Sequence, residues 1–389
     1  MDHTALAQQL RHLVIFKNLR EEPLVAALAN ALEKADAASI CDLAAELYPR
    51  GMDLRQAMAT LLLQDDNFCV RDAAALHPLP RQAADWLDRE LALLEEAVCA
   101  SAQLQSPELP AWELTGESLA VTYRDMLRNA PCLGYGIFSQ YHVFSVSPEG
   151  TLIPIEHPDP QQLSQLYGYE TERQKLVQNT RALLQGLPAN NVLLYGDAGT
   201  GKSSTVKALV NEYKDQGLRL IQVEKSRLRH IPALLDSLSA NPLKFILFID
   251  DLSFAADDHD YTALKTVLEG SVAARSSNTV VYATSNRRHL VQETFQSRQG
   301  DEIHISDTLE EVSSLSARFG IVITFGRPNK DLYLSVTEKL AEQAGLIPDE
   351  TLFKEAEAYA LRAGGRSPRV ARQYIEYKIA MNCDSSCAK

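Results

Sequence analysis

The segment Gly196-Asp-Ala-Gly-Thr-Gly-Lys-Ser203 constrains this chain more than any other stretch. It fits the pattern G-x-x-x-x-G-K-[ST], which carries meaning only where a strand runs into it and a helix leaves it. Here Asn191-Val-Leu-Leu-Tyr195 reads as the strand, and Ser204–Tyr213 reads as an amphipathic helix. Gly196, Gly199 and Gly201 let backbone N–H groups converge on phosphate oxygens, and the positive end of the following helix faces the same point. The candidate phosphate-binding set is therefore Gly196, Asp197, Ala198, Gly199, Thr200, Gly201, Lys202, Ser203 and Ser204. In such a loop the lysine neutralises β- and γ-phosphates and the Ser203 hydroxyl ligates Mg²⁺, so a nucleotide with Mg²⁺ is the expected ligand.

Around the loop, short apolar strands alternate with helical stretches. Leu218–Val223, Phe245–Ile249, Thr279–Ala283 and Ile321–Phe325 join Asn191–Tyr195 as five strands. That alternation calls for a parallel sheet covered by helices on both faces. The strand Lys244-Phe-Ile-Leu-Phe-Ile249 ends in Asp250-Asp251. Carboxylates at the C-terminal edge of such a sheet suit a metal-holding role for Asp250, and Asp251 faces the attacking water as a base. Another strand ends in Thr284-Ser-Asn286, where the Asn286 carboxamide can orient water or touch the γ-phosphate.

The rest of the chain has a different character. At 389 residues, two or three domains are expected. Residues 1–160 hold 23 acids against 11 bases, whereas residues 161–389 are almost balanced, so most of the formal charge of −13 sits at the front. A general nucleic-acid-coating protein is disfavoured by that charge. Residues 1–130 are rich in Ala and Leu at helical spacing, with Trp86, Leu87, Leu91, Leu94 and Val98 on one stripe, and read as an acidic helical domain that recruits a protein partner. Tyr135–Val146, the turn Pro148-Glu-Gly150 and Thr151–Ile155 read as a hairpin, so 131–160 is assigned as hairpin and linker. No apolar run approaches the roughly 18–20 residues that span a bilayer, and the N-terminus lacks a signal-peptide pattern, so a cytoplasmic location is expected. The six cysteines then read as reduced thiols, with Cys383 and Cys387 in a frayed terminus rather than a metal clip.

The ordered set of loop, acid pair, polar strand tip, Ser316-Ala-Arg318-Phe-Gly and Gly364-Gly-Arg-Ser-Pro-Arg369 resembles the AAA+ ATPase superfamily. Leu315-Ser-Ala-Arg-Phe-Gly resembles the arginine-finger segment of branch-migration motors of that superfamily. More narrowly, Leu166-Tyr-Gly-Tyr-Glu, Ile249-Asp-Asp-Leu-Ser-Phe, Ala283-Thr-Ser-Asn-Arg-Arg and Gly365-Arg-Ser-Pro-Arg-Val-Ala-Arg look like a bacterial family of predicted ATPases, domain of unknown function 815. The resemblance spans roughly residues 135–380. It implies an α/β phosphate-loop NTPase domain over 161–327, a small helical lid over 328–380 and a flexible tail at 381–389. It also implies that Arg318 reaches into a neighbouring subunit's nucleotide, that Arg369 contacts the γ-phosphate of its own, and that the protein forms a homo-oligomeric ring or filament. Tyr167 and Tyr169 fall where the segment before the first strand runs beside adenine, Tyr169 being the candidate contact, although either also suits a core.

Two departures from the resemblance matter. Asp251 stands where most AAA+ ATPases place Glu, one methylene longer, which leaves fast hydrolysis and a slow nucleotide switch both open. Asp257, Asp258 and Asp260 read as solvated loop acids first and as substitute ligands second. After Leu218–Val223 the chain runs Glu224-Lys-Ser-Arg-Leu-Arg-His230, with no aromatic-Gly loop for gripping polypeptide. With Arg287 and Arg288 that basic loop reads as a solvated face first and a nucleic-acid contact second. Three functions follow in order: an ATPase remodelling a macromolecular client, a nucleotide-gated assembly module with little turnover, and a nucleic-acid remodeller.

Overall fold

The computed structural model describes residues 3–105, 107–252, 254, 255, 264, 268, 277–286, 291, 292 and 318–387. The residues 257, 258, 260, 287, 288 and 316 singled out above lie outside them. The chain divides into two compact units, Met1–Tyr141 with Asn241–Leu243, and His142–Ala240 with Lys244–Lys389.

The first unit is helical. Its helices are α1 (His3–Leu10), α2 (Pro23–Lys34), α3 (Ala37–Leu47), α4 (Leu54–Gln64), α5 (Phe68–Ala74), α6 (Arg81–Ala100), α7 (Leu119–Leu133) and the single turn α8 (Ile137–Gln140). Side-chain caps start several of them: Asp36 accepts from Ser39 N, Asp53 from Gln56 N and Asn67 from Val70 N. Each cap satisfies an amide that the first helical turn leaves without a partner. On α6 the expected stripe of Leu87, Leu91, Leu94 and Val98 is buried, but Trp86 is 43% exposed. Its Nε1 donates to Glu90, which is itself buried and also accepts from the N–H groups of Ile15 and Phe16. The stretch Tyr135–Tyr141, expected to open a hairpin, instead makes the helical turn α8, entered through Gly134 and Gly136 at positive φ.

The second unit is built on a seven-stranded sheet. In chain order its strands are β1 (Val143–Val146), β2 (Leu152–Pro154), β3 (Val192–Gly196), β4 (Leu218–Gln222), β5 (Lys244–Ile249), β7 (Thr279–Ser285) and β9 (Ile321–Phe325); two-residue strands β6 (Phe254–Ala255) and β8 (Val291–Gln292) pair apart from it. The order across the sheet is β2-β1-β4-β5-β7-β3-β9. Only β1–β2 is antiparallel, so the segment expected as a linker hairpin extends the main sheet, its strand β1 running parallel to β4. The hydrophobic strands β3, β5 and β7 carry near-continuous burial, as a sheet covered on both faces requires. Helices α9 (Glu170–Leu184), α10 (Lys202–Tyr213) and α11 (Ile231–Leu238) belong to this layer. The α9 residues Asn179 and Thr180 hold the buried Tyr282 hydroxyl on β7, and burial pushes that phenol up to about 12. After β9 come α12 (Lys330–Gln343), α13 (Glu350–Arg362) and α14 (Pro368–Cys387), which share a core of Tyr333, Val336, Ala356, Ala371 and Tyr374. Helix α14 runs over much of the stretch expected as a tail.

Candidate functional site

The sheet register decides which side chains meet. Leu194 on β3 lies beside Thr284 on β7, and Ile249 on β5 lies beside Ala283. The residues that follow, Gly196 to Ser203, Asp250–Asp251 and Asn286, therefore leave the sheet together at its C-terminal edge. Ligands of open α/β sheets bind at that edge.

Gly196 pairs in register with Phe325 of β9 and takes φ +142°. Any Cβ there would fall on the Phe325 carbonyl, so only glycine lets β3 bend into the loop at this point. Gly201, at φ +95°, is the N-cap of α10, and Lys202 is its first residue. The Lys202 side chain is folded back and buried: Nζ donates to Gly196 O (2.8 Å), Asp197 O (2.9 Å) and Asn286 Oδ1 (2.9 Å). Burial lowers its pKa, with Asp197, Asp250 and Asp251 opposing that shift. Thr200 Oγ1 also donates to Asp197 O, which closes the loop on itself.

The two acids occupy different places. Asp250 Oδ1 accepts from Ser203 Oγ and from Thr284 Oγ1, each at 2.6 Å. Asp251 sits in the left-handed region at φ +52°, a conformation that Asp tolerates better than most residues. Its N–H donates to Thr284 Oγ1 (2.8 Å), and its Oδ1 accepts from Asn286 Nδ2 (2.8 Å). Asn286 thus links the lysine to the second acid.

Helix α14 closes the site from the other side. Ser367 precedes Pro368 and accepts from Val370 N through its hydroxyl, so Pro takes the first helical position, where no N–H is needed. The Arg369 N–H donates to Gly199 O (3.2 Å), which ties the lid to the phosphate loop. Loop, acids and lid enclose a cavity of about 390 Å³, within the range of ligand pockets. Its lining includes Ala198, Gly199, Thr200, Gly201, Lys202, Ser203, Ser204, Asp250, Asp251, Asn286 and Arg369 from the expected set.

Other expected residues lie elsewhere. Tyr169 is outside that lining. Its ring packs in the sheet core 5.3 Å from Phe325, its hydroxyl donates to Gly326 O (2.5 Å), and burial pushes it up to about 12. Its left-handed backbone at the start of α9 turns the ring inward, and Tyr167 takes the place beside the cavity. Gly196 and Asp197 support Lys202 through their carbonyls rather than lining the cavity. Arg318, half-buried just before β9, lies outside the lining as well. Sequence reasoning assigned no role to Thr284, Arg173, Gln161 or Arg372, all of which line the cavity. With its amide turned so that the oxygen faces Arg372, the Gln161 carboxamide bridges Ser204 Oγ (3.3 Å) and the Arg372 guanidinium (2.8 Å). Among the described residues, no cluster of three or more His, Cys, Asp or Glu is arranged for a metal, and no helix is long and apolar enough to cross a membrane.

A phosphate loop on a strand flanked by parallel neighbours, an acid pair and a polar tip on the next two strands, and helices over the sheet define an α/β phosphate-loop NTPase fold. The family model described as "Protein of unknown function (DUF815)" matches residues 139–382, more than half of the chain, and the chain belongs to that family. Among solved structures, three variants of Thermotoga maritima RuvB align at 18% identity with TM-scores of 0.37 to 0.38. These alignments cover 55% to 56% of this chain and 63% to 64% of the RuvB chain. No curated protein matches the sequence.

Proposed function

We propose that this protein is a cytoplasmic ATPase that binds ATP·Mg²⁺ in the loop–lid cavity and uses hydrolysis at subunit interfaces to remodel a macromolecular client. One observation carries the reading. The Ser203 hydroxyl and the Asp250 carboxylate meet at 2.6 Å on the floor of a cavity whose walls also bring the Lys202 ammonium and the Arg369 guanidinium. A hydroxyl and a carboxylate are hard oxygen donors suited to Mg²⁺, which keeps most of its water and needs few protein ligands. Held there by Ser203 and Asp250, Mg²⁺ would supply positive charge against the charge that develops on the phosphate oxygens.

This chain's own groups do the rest. Backbone N–H groups from Gly199 to Ser203, backed by the α10 N-terminus, hold the phosphate oxygens. Lys202 exchanges its three oxygen partners for the phosphates, which releases Asn286 Oδ1. Asp251 takes a proton from the attacking water, and Asn286 orients that water. Arg369 reads the γ-phosphate from the lid. Arg318, outside its own chain's cavity, completes the site of a neighbouring subunit, a contribution of about 10³–10⁵ in rate for such arginines. The assembly is a homo-oligomer, and the acidic helical unit recruits a protein partner.

The test is phosphate release by the purified protein with and without DNA. Magnesium-dependent turnover, lost in Asp251→Asn while ATP binding persists, is the expected result. A second reading is favoured by the shorter Asp251 carboxylate and its engagement with Asn286: ATP sets assembly and turns over little. Under that reading ATP changes the oligomeric state while phosphate release stays at background. DNA-stimulated turnover with salt-sensitive binding is the mark of a nucleic-acid remodeller.

A further inference from the structure

Thr284 has no part in the roles above, yet three of the site's hydrogen bonds meet on it. The residue is buried at the end of β7. Its Oγ1 accepts the Asp251 N–H (2.8 Å) and lies 2.6 Å from Asp250 Oδ1, while its carbonyl accepts the Leu252 N–H (2.7 Å). A backbone N–H can only donate, so Oγ1 is the acceptor toward Asp251. The hydroxyl's single proton is therefore committed to the Asp250 carboxylate.

That arrangement has a consequence for the acid. Ser203 donates to the same oxygen, Oδ1. With both hydroxyl protons on Oδ1, Oδ2 and the lone pairs of Ser203 Oγ remain as donors for a cation. Thr284 also accepts two consecutive N–H groups, of Asp251 and Leu252, at the turn where Asp251 takes its left-handed conformation.

We infer that Thr284 is a positioning residue for the magnesium-holding carboxylate: it fixes which Asp250 oxygen faces the cation and locks the turn that carries Asp251. This rests on the nucleotide reading above. Partners of this kind, one bond removed from a metal, typically change metal affinity by about ten- to a hundredfold when lost.

The experiment measures the affinity of the full-length protein for a fluorescent ATP analogue, once with Mg²⁺ and once with EDTA. Wild type, Thr284→Val and Thr284→Ser are compared, with circular dichroism confirming the fold. The valine variant keeps the shape and removes the hydroxyl. The expected result is an unchanged EDTA affinity in all three, with the Mg²⁺-dependent gain falling about tenfold or more in Thr284→Val and persisting in Thr284→Ser. A full gain in Thr284→Val overturns the inference, and so does a parallel fall in both conditions, which marks a packing role. Should the valine variant fail to fold, Thr284→Ala against Thr284→Ser gives the same readout: loss in alanine alone supports the inference, and equal gains overturn it. If wild type binds the analogue in neither condition, the nucleotide reading itself falls and takes this inference with it.

Discussion

Lys202 shows how one residue records the purpose of a site. An ammonium group folded into a buried loop loses hydration, which pushes its pKa down. It is held by two loop carbonyls and the Asn286 carboxamide, all neutral acceptors. A polyanion offers a stronger charge-assisted partner than any of these. Lys202→Ala is therefore expected to abolish nucleotide binding while leaving the fold intact, checked by fluorescence titration alongside circular dichroism. Glu90 illustrates the opposite case, a buried carboxylate given wholly to structure. It accepts from the Ile15, Phe16 and Trp86 N–H groups. Each buried donor left without a partner costs about 1–3 kcal/mol, so Glu90→Ala should destabilise the helical unit by about 3 kcal/mol or more in thermal or urea unfolding. Nucleotide affinity should be unaffected.

At the scale of elements, the decisive contact is between the start of α14 and the loop. Gly199 has φ +77°, and a Cβ there would press at 3.1 Å on both Ser367 Oγ and the Arg369 Cβ. Gly199→Ala is expected to add about 1–2 kcal/mol of backbone strain and to push the lid away, lowering nucleotide affinity about tenfold by titration. The loop and its strands were legible because the motif, the apolar run before it and the helix after it all point to one geometry. Strands ending in Asp250 and Asn286 were legible for the same reason. Tyr169 was not, because spacing alone cannot tell which of two tyrosines a left-handed turn directs inward. Thr284 was hidden because a β-branched residue at a strand end satisfies strand propensity without revealing its hydroxyl's use. Tyr135–Tyr141 was misread as strand because aromatic and β-branched residues favour strands, while Gly134 and Gly136 permit a backbone that periodicity does not register. Trp86 left its stripe because its indole N–H has a partner in Glu90, and a polar handle draws such a ring toward the surface.

At the scale of the whole molecule, the chain separates a helical unit carrying most of the net negative charge from a unit carrying the cavity. If Arg318 acts across a subunit boundary, two inactive variants complement each other. Arg318→Ala retains an intact cavity and Lys202→Ala retains an intact arginine, so mixing them should restore phosphate release that neither shows alone. No recovery in mixed oligomers would assign Arg318 to its own chain or to no catalytic part.

Calorimetric titration of ATP into the full-length protein in the presence of magnesium tests the account at its root. Saturable binding to wild type, absent in Lys202→Ala, is the predicted result. No heat of binding with wild type, or equal binding by both proteins, would contradict it.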